Sequence, residues 1–216
     1  MKELTKIANE CNTDKGFIRD EGHGFSEFYN DIFNEFRERA AKENRKLNIL
    51  EIGVQYGTSL KMFNEFFNHN CEIYGCDINI NQNKYNDSNV HVYQLDANSK
   101  TDIDEFLTKI GNIKFDIILE DASHISEHQI HTLLYLYKNV RYDGVYILED
   151  LHVGINKRTN SPLYYLIFND KLNFMTDDEN NELKNIINDV TVYCRNNEKS
   201  NFEHKSITSI ITFKQL

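Results

Sequence analysis

Two apolar runs of the sequence end in carboxylates and an imidazole. One lies within Phe115–His124 (FDIILEDASH) and the other within Gly144–Asp150 (GVYILED). Short apolar runs rich in β-branched residues are typical of buried strands, and open α/β sheets carry their sites at the carboxyl ends of the strands. If the two strands are neighbours, their ends bring together groups suited to a hard cation and a general base. These groups belong to Asp121, His124, Glu149 and Asp150.

A strand, a glycine turn and a helix form the second feature with chemical meaning. The apolar segment Leu47–Ile52 runs into ExGxxxG at Glu51–Gly57, and helical periodicity follows over Thr58–Asn68. Glycines at such a turn let the backbone approach a ligand without a Cβ in the way. The next predicted strand ends in Asp77, at the place of an acid that binds ribose hydroxyls. The residues predicted to contact a nucleoside cofactor are Glu51, Gly53, Gly57, Thr58 and Asp77.

Another acid follows the third predicted strand. Val90–Leu95 ends in Asp96, which would lie near an adenine if the cofactor pocket forms. The alternative is that Asp96 begins a loop or caps the helix predicted over Thr101–Ile110, and the sequence leaves both open.

These features predict an α/β fold with a doubly wound, seven-stranded Rossmann-like sheet. A short helix from Leu4 to Cys11 and an aromatic-striped helix over Phe25–Lys42 precede it. We expect residues 1–216 to form one domain, with 1–46 as a helical extension or lid and 47–216 as the core. The predicted strands are Leu47–Ile52, Glu72–Cys76, Val90–Leu95, Lys114–Leu119, Gly144–Leu148, Asp189–Arg195 and Ser206–Phe213. The later helices are predicted over Thr58–Asn68, Thr101–Ile110, Ile125–Asn139 and Asp177–Asn188.

The composition bounds the class of protein. The chain has 216 residues, 40% of them hydrophobic, and a formal net charge of −10, which favours a full core and argues against tight binding to nucleic acid phosphates. The four cysteines show neither a CxxC pair nor the spacing of a disulfide framework, so reduced thiols are expected. The N-terminus lacks the apolar core of a signal peptide, and no apolar run reaches the roughly 18 residues of a membrane span. We therefore predict a cytoplasmic protein without a membrane span, and leave open whether it is a homo-oligomer.

At the level of motifs, the chain resembles the class I S-adenosylmethionine-dependent methyltransferases. Within them it is similar to the metal-dependent sugar O-methyltransferases of antibiotic glycoside and surface polysaccharide pathways. The resemblance extends over most of residues 1–152, and the ExGxxxG turn is generic to the fold. The motifs that carry it are Thr13-Asp14-Lys15-Gly16 with His23 and Tyr29, Glu51–Gly57, Asp121-Ala122-Ser123-His124, and Glu149-Asp150-Leu151-His152.

The resemblance implies S-adenosylmethionine and Mg²⁺ as cofactors and a sugar or sugar nucleotide as the methyl acceptor. It implies His124 as the general base and an N-terminal lid in which Thr13 and Lys15 contact the cofactor. Glu120 stands where the family has Asp, and His152 is either a second base or a loop histidine, so neither receives a role. The magnesium ligands that the resemblance implies are Asp121, Glu149 and Asp150.

Three alternatives remain beside this interpretation. His124 and His128 form an HxxxH pair that could bind zinc, and Ser123 could instead cap the helix that follows. A catechol-like small molecule could replace the sugar as acceptor. The chain could also keep the fold as a cofactor-binding protein without catalysis.

Overall fold

A mixed sheet lies at the centre of the chain in the computed structural model, which describes residues 1–17, 22–151, 176–196 and 205–214. The sheet has seven strands in the order β3-β2-β1-β4-β5-β7-β6. The first five strands pair in parallel, and β7 runs antiparallel to both β5 and β6. The strands are β1 (Leu47–Ile52), β2 (Cys71–Asp77), β3 (Val90–Gln94), β4 (Phe115–Glu120), β5 (Val140–Leu148), β6 (Ile187–Asn196) and β7 (Lys205–Phe213). The predicted doubly wound, seven-stranded sheet is therefore confirmed.

Helices lie close to where the periodicity predicts them. They are α1 (Glu3–Glu10), α2 (Phe25–Lys42), α3 (Thr58–Phe66), α4 (Lys100–Lys109), α5 (Ser126–Leu136) and α6 (Asp177–Ile186). The helix predicted over Ile125–Asn139 ends sooner, because the chain tightens into a 3₁₀ turn at Tyr137–Asn139. The fifth strand begins at Val140 rather than at Gly144. Among the described helices, none combines the length and the apolar character needed to cross a bilayer.

Apolar side chains cover both faces of the sheet. On one face, α2 packs its predicted aromatic stripe inward, and the Phe33 ring lies 5.9 Å from the Phe63 ring and 5.8 Å from the Phe67 ring. On the other face, Leu133 of α5 and Leu183 of α6 are fully buried in the second apolar cluster. Burying each such side chain contributes roughly 1.5–3 kcal/mol to folding, so both helical layers hold the strand ends in fixed positions.

The parallel register places the ends of β1, β4 and β5 side by side. Ile52 pairs with Glu120, and Glu120 pairs with Leu148. Beyond the strands, the Asp121 amide donates to the Ile52 carbonyl at 2.8 Å, and the Glu149 amide donates to the Glu120 carbonyl at 3.0 Å. The three strands therefore end at the same level of the sheet, and Asp121 and Glu149 follow the ends of β4 and β5 side by side.

Gly53 occupies the turn at which β1 meets β4. Its φ is +90°, and a Cβ placed there would lie 2.2 Å from the carbonyl oxygen of Asp121. Both the backbone conformation and the close approach of main chain therefore require glycine.

We expect Gly53→Ala to unfold more readily than wild type and to lose its ligand pocket. Gly111→Ala is the matched control, because Gly111 also has a positive φ (+79°), but no atom of the described residues would lie within 4 Å of a Cβ added there. The control should lose only the roughly 1–2 kcal/mol of the left-handed backbone. Urea denaturation of both variants measures the difference, and equal losses would show that the contact with the Asp121 carbonyl costs nothing.

Candidate active site

A cavity of about 460 Å³ opens above the carboxyl ends of the strands. Six of the residues predicted from the sequence line it, and they come from the ends of five different strands. They are Gly53 after β1, Asp77 at the end of β2, Asp96 after β3, Asp121 and His124 after β4, and Asp150 after β5. The cavity thus joins the predicted cofactor acids to the predicted metal and base residues.

Asp121, His124 and Asp150 converge at one end of this cavity. One possible ligand atom from each lies within 4.8 Å of the other two. His124 Nδ1 is 3.8 Å from Asp121 Oδ1, and His124 Nε2 is 3.6 Å from Asp150 Oδ2. Within the described residues, the buried Nδ1 of His124 has no hydrogen-bond partner. Two carboxylates and a half-buried imidazole around one point fit a divalent cation by their chemistry.

Local backbone turns aim these side chains. Asp150 has a φ of 53° and His124 a φ of 55°, both in the left-handed region. Consecutive residues of a strand point to opposite faces, so Asp150 could not share a site with Glu149 if the strand continued. The left-handed turn directly after Glu149 sends the Asp150 carboxylate into the cavity. This conformation is uncommon outside glycine, but Asp and His adopt it more readily than most other residues.

Glu149 is buried below the cavity, where protein groups engage both of its carboxylate oxygens. Lys15 Nζ donates to Oε2 at 2.6 Å, and the Tyr29 hydroxyl donates to Oε1 at 2.8 Å. Its assignment as a magnesium ligand stays a prediction. For Glu149 to join Asp121 and Asp150 around one ion, it would have to be shared with the Lys15 ammonium.

Lys15 lies among carboxylates and is fully buried. Its Nζ donates to Asp121 Oδ2 at 2.7 Å and lies 3.6 Å from Glu51 Oε1. Burial alone would lower the pKa of Lys15, but the neighbouring charges of Asp121, Glu149 and Glu51 raise it well above its ordinary value. The Lys15 side chain is therefore protonated, and its ammonium links the end of β4 to the end of β5 through Asp121 and Glu149.

The predicted cofactor residues fall into two groups. Gly53, Asp77 and Asp96 line the cavity. Asp77 is fixed by its own turn, because its Oδ2 accepts from the Gln55 amide at 2.8 Å and its Oδ1 from the Asn79 amide at 2.9 Å. The other group lies outside the described lining, and its cofactor contacts stay predictions. It comprises Thr13, Lys15, Glu51, Gly57 and Thr58.

Glu51 and Gly57, two residues of that second group, support the site without lining the cavity. The Glu51 carboxylate is buried and accepts from the Ser59 hydroxyl at 2.6 Å. Burial raises its pKa to about 7, although Lys15 and Ser59 act in the opposite direction. Gly57 begins α3 with a φ of 76°, so the second glycine of ExGxxxG serves helix entry.

Several lining residues were missed by the sequence interpretation. Asp14, Gln55, Ile78 and Asn98 all contribute to the cavity wall, and each lies in a loop without periodicity. Two of these residues carried a signal in the sequence. Gln55 lies within ExGxxxG, and Ile78 directly follows Asp77. Ile78 is 67% exposed, which leaves an apolar surface beside Asp77.

The surroundings of Ser123 and His128 bear on two of the alternatives. Helix α5 begins after Ile125, which makes no side-chain cap, whereas Ser123 Oγ lies 2.9 Å from His128 Nδ1. The capping role suggested for Ser123 is therefore wrong. In the part of the chain that the structure describes, the group that could hold a metal combines His124 with Asp121 and Asp150, and His128 is not a member.

His152 and the segment of residues 153–160 that follows it lie outside the described residues, so the alternatives for His152 stay open. Glu120, the position at which the chain departs from the family pattern, is fully buried on the side of the sheet that carries α5. Its Oε2 has no hydrogen-bond partner among the described residues.

Comparison with known proteins finds O-methyltransferases to which the chain is similar. No protein-family model matches the chain. It is 30% identical to mycinamicin VI 2''-O-methyltransferase of Micromonospora griseorubida, over 69% of this chain and 36% of that protein. It is 33% identical to demethylmacrocin O-methyltransferase of Streptomyces fradiae, over 60% of this chain and 32% of that protein. The chain thus spans about a third of the length of these relatives.

Solved structures agree on the fold. The MycE methyltransferase from the mycinamycin biosynthetic pathway, in complex with Mg, SAH and mycinamycin VI, superposes with a TM-score of 0.71 at 23% identity, over 99% of this chain and 55% of that one. The fold is therefore the Rossmann-like fold of class I methyltransferases, as the sequence predicts. The sequence resemblance to sugar O-methyltransferases is likewise confirmed.

The buried carboxyl of Glu120 predicts a pH dependence of stability. Burial, and then the charge of Asp121, raise its pKa from 4.5 to about 8. The folded state thus keeps a proton that the unfolded chain releases, so this group stabilises the fold below pH 4.5 and loses that contribution as pH rises toward 8. Glu120→Gln should therefore gain stability relative to wild type between pH 5 and pH 8, by up to about 1.4 kcal/mol per pH unit.

Urea denaturation in chelator at both pH values measures this difference. The exposed Glu105→Gln is the control and should show the same difference from wild type at both pH values. A Glu120→Gln difference that stays constant or falls with pH would contradict a neutral, buried Glu120.

Proposed function

We propose that this chain binds S-adenosylmethionine and Mg²⁺ and transfers the methyl group to a sugar hydroxyl. One observation carries the proposal. A single cavity has ribose-type and adenine-type acids, Asp77 and Asp96, at one end and the Asp121, His124 and Asp150 cluster at the other. The similarity to sugar O-methyltransferases and to a methyltransferase solved with Mg and SAH supports it.

The cofactor end of the cavity suits a nucleoside. Two backbone amides already orient the Asp77 carboxylate, and its remaining lone pairs can accept from a ribose diol. Exposed Ile78 and buried Leu95 give an apolar wall for a base, and Asp96 follows it. Gly53, which also lines the cavity, leaves main chain exposed to the amino acid part of the cofactor.

The reaction is an in-line displacement that this arrangement can assist. The acceptor oxygen forms a bond to the methyl carbon while the sulfonium carbon–sulfur bond breaks, giving an ether and S-adenosylhomocysteine. The hydroxyl proton passes to a base, and the proposed base is His124, whose ring nitrogens lie 3.8 Å from Asp121 and 3.6 Å from Asp150. Holding donor and acceptor in one cavity supplies much of the acceleration, because it removes the entropy cost of their encounter.

Asp121 and Asp150 would hold the magnesium ion, with Glu149 as the further predicted ligand. When bound, the ion supplies positive charge that stabilises the negative charge developing on the acceptor oxygen. Asp14 of the N-terminal segment also lines this end of the cavity, where it can accept hydrogen bonds from further acceptor hydroxyls.

The finer parts of the proposal rest on the relatives and on the sequence. One similar protein, from Streptomyces olivaceus, is named as a 2'-O-methyltransferase of an alpha-L-rhamnosyl tetracenomycin, so an antibiotic-type glycoside is the first acceptor to test and a polysaccharide precursor the second. A cytoplasmic location and the absence of nucleic acid partners stay predictions, and the oligomeric state stays open.

Methyl transfer to a panel of acceptors tests the function. We expect turnover of S-adenosylmethionine with glycosides or sugar nucleotides in Mg²⁺, loss of turnover in chelator, and weaker metal-dependent turnover in Asp121→Asn. Transfer to catechols alone would favour the catechol alternative. Cofactor binding without transfer to any hydroxyl would favour the non-catalytic alternative, and a rate unchanged by chelator in wild type and variant would count against the metal.

His124→Ala tests whether the His124 imidazole acts as the general base or as a metal ligand. If His124 is the base, turnover should fall about 100-fold or more, while S-adenosylmethionine affinity and Mn²⁺ affinity stay within a few-fold of wild type. Isothermal titration with cofactor and Mn²⁺ checks both affinities. If Mn²⁺ affinity falls in parallel with turnover, His124 is a ligand; if cofactor binding is lost and turnover per complex is kept, the base assignment is wrong.

A further inference from the structure

Lys15 brings an ammonium group into the middle of the acidic strand ends. Its side chain is 2% exposed, and its Nζ lies 2.6 Å from Glu149, 2.7 Å from Asp121 and 3.6 Å from Glu51. Oxygens of three carboxylates around one point resemble a cation site, and here the cation belongs to the chain. Such burial of charge is tolerated only when the charges compensate one another.

Asp121 belongs to two cationic environments at once. Its Oδ2 accepts from Lys15 at 2.7 Å, its Oδ1 lies 3.8 Å from His124 Nδ1, and Asp121 is a member of the group that could hold a metal. A divalent ion bound through Oδ1 would use the carboxylate oxygen that the ammonium leaves free. Lys15 and the ion would then share one negative group and repel each other across it.

We propose that Lys15 is an internal counter-cation of the metal site. It holds Asp121 and Glu149 together when the divalent ion is absent, and it weakens binding of the ion when the ion is present. The role is one of positioning, since Lys15 acts through Asp121 and Glu149. This inference rests on the proposed function, because it takes the Asp121, His124 and Asp150 group to be a cation site.

The backbone of Lys15 also fixes the N-terminal segment that precedes α2. The Lys15 carbonyl accepts from the Ser26 amide at 2.9 Å, which joins it to the start of α2. His23, near the end of that segment, lies 2.8 Å from the Ser206 hydroxyl of β7 and 3.7 Å from Asp150. Compensation of the carboxylates and docking of the segment are therefore linked through Lys15.

Removing the ammonium has a measurable sign. Without it, the same carboxylates present one more uncompensated negative charge to the ion, and the repulsion between the ammonium and the ion is removed. Lys15→Met should therefore bind Mn²⁺ at least about tenfold more tightly than wild type. By thermodynamic reciprocity, Mn²⁺ should also raise the melting temperature of this variant more than that of wild type.

Mn²⁺ titration followed by electron paramagnetic resonance tests the proposal on the full chain without cofactor or acceptor. Lys15→Arg keeps the charge and should bind Mn²⁺ within about threefold of wild type. Lys6→Met is the control for loss of an exposed lysine, because the Lys6 side chain is 72% exposed and its ion pair with Glu10 is long, at 3.9 Å. This variant should leave Mn²⁺ affinity unchanged. Equal or weaker Mn²⁺ binding by Lys15→Met would overturn the proposal.

Thermal unfolding gives the second measurement if Lys15→Met is too unstable in chelator to titrate. Its melting temperature should lie below that of wild type in chelator, and Mn²⁺ should recover most of the deficit. The double variant Lys15→Met/Glu149→Gln, which removes both charges, should melt above Lys15→Met in chelator. A deficit that Mn²⁺ leaves unchanged would show a packing role and would overturn the proposal.

These outcomes separate this inference from the proposed function. Wild type that binds Mn²⁺ but never transfers a methyl group would contradict the function and leave the counter-cation intact. Wild type that transfers methyl groups in Mg²⁺, with Lys15→Met binding Mn²⁺ no more tightly, would contradict the counter-cation alone. Lack of Mn²⁺ binding by every variant would contradict both the metal site and the counter-cation.

Discussion

Concentrated negative charge at the carboxyl ends of parallel strands is the constraint on which this structure depends. The register of β1, β4 and β5 brings Asp121 and Glu149 side by side just beyond their strands, with Glu51 further back on β1, and a folded chain must compensate charges held so close together. Lys15 supplies that compensation from a segment far away in sequence. The position of the N-terminal segment, the burial of Glu149 and the shape of the cavity all follow from this cluster.

The two helical layers keep the cluster in place by different means. On one face, α2 buries an aromatic stripe, and Tyr29 from that stripe extends its hydroxyl to Glu149 at 2.8 Å. On the other, α5 packs against the sheet and donates a hydrogen bond from the Gln129 amide to the Glu149 carbonyl at 2.9 Å. Apolar packing therefore fixes the strands, and a few polar groups at the ends of those layers fix the acids.

Much of the fold could be predicted from the sequence because its signals are local. Alternating apolar runs, the glycine turn at Gly53 and the acids that follow the strands all lie within short windows. These windows also gave the cavity residues Asp77, Asp96, Asp121, His124 and Asp150, each of which comes directly after a strand or within a few residues of one.

What the sequence could not show depends on contacts between distant parts of the chain. Lys15 and Glu149 are 134 positions apart, and no local pattern indicates that they pair. Tyr29 gave the periodicity of a core residue, which it is, and that periodicity hides the polar role of its hydroxyl. Asp14 and Asn98 enter the cavity from loops, whose course follows from tertiary packing rather than from residue spacing.

The central claim is that a divalent ion and a methyl donor occupy the two ends of one cavity. Relaxation of the methyl carbon of ¹³C-labelled S-adenosylmethionine, bound to the chain with and without Mn²⁺, tests it most directly, because paramagnetic relaxation falls steeply with distance from the ion. We expect strong Mn²⁺-dependent broadening of the methyl signal in wild type and its loss in Asp150→Asn at the same Mn²⁺ concentration. Both ligands binding with no effect of Mn²⁺ on the methyl carbon would contradict it.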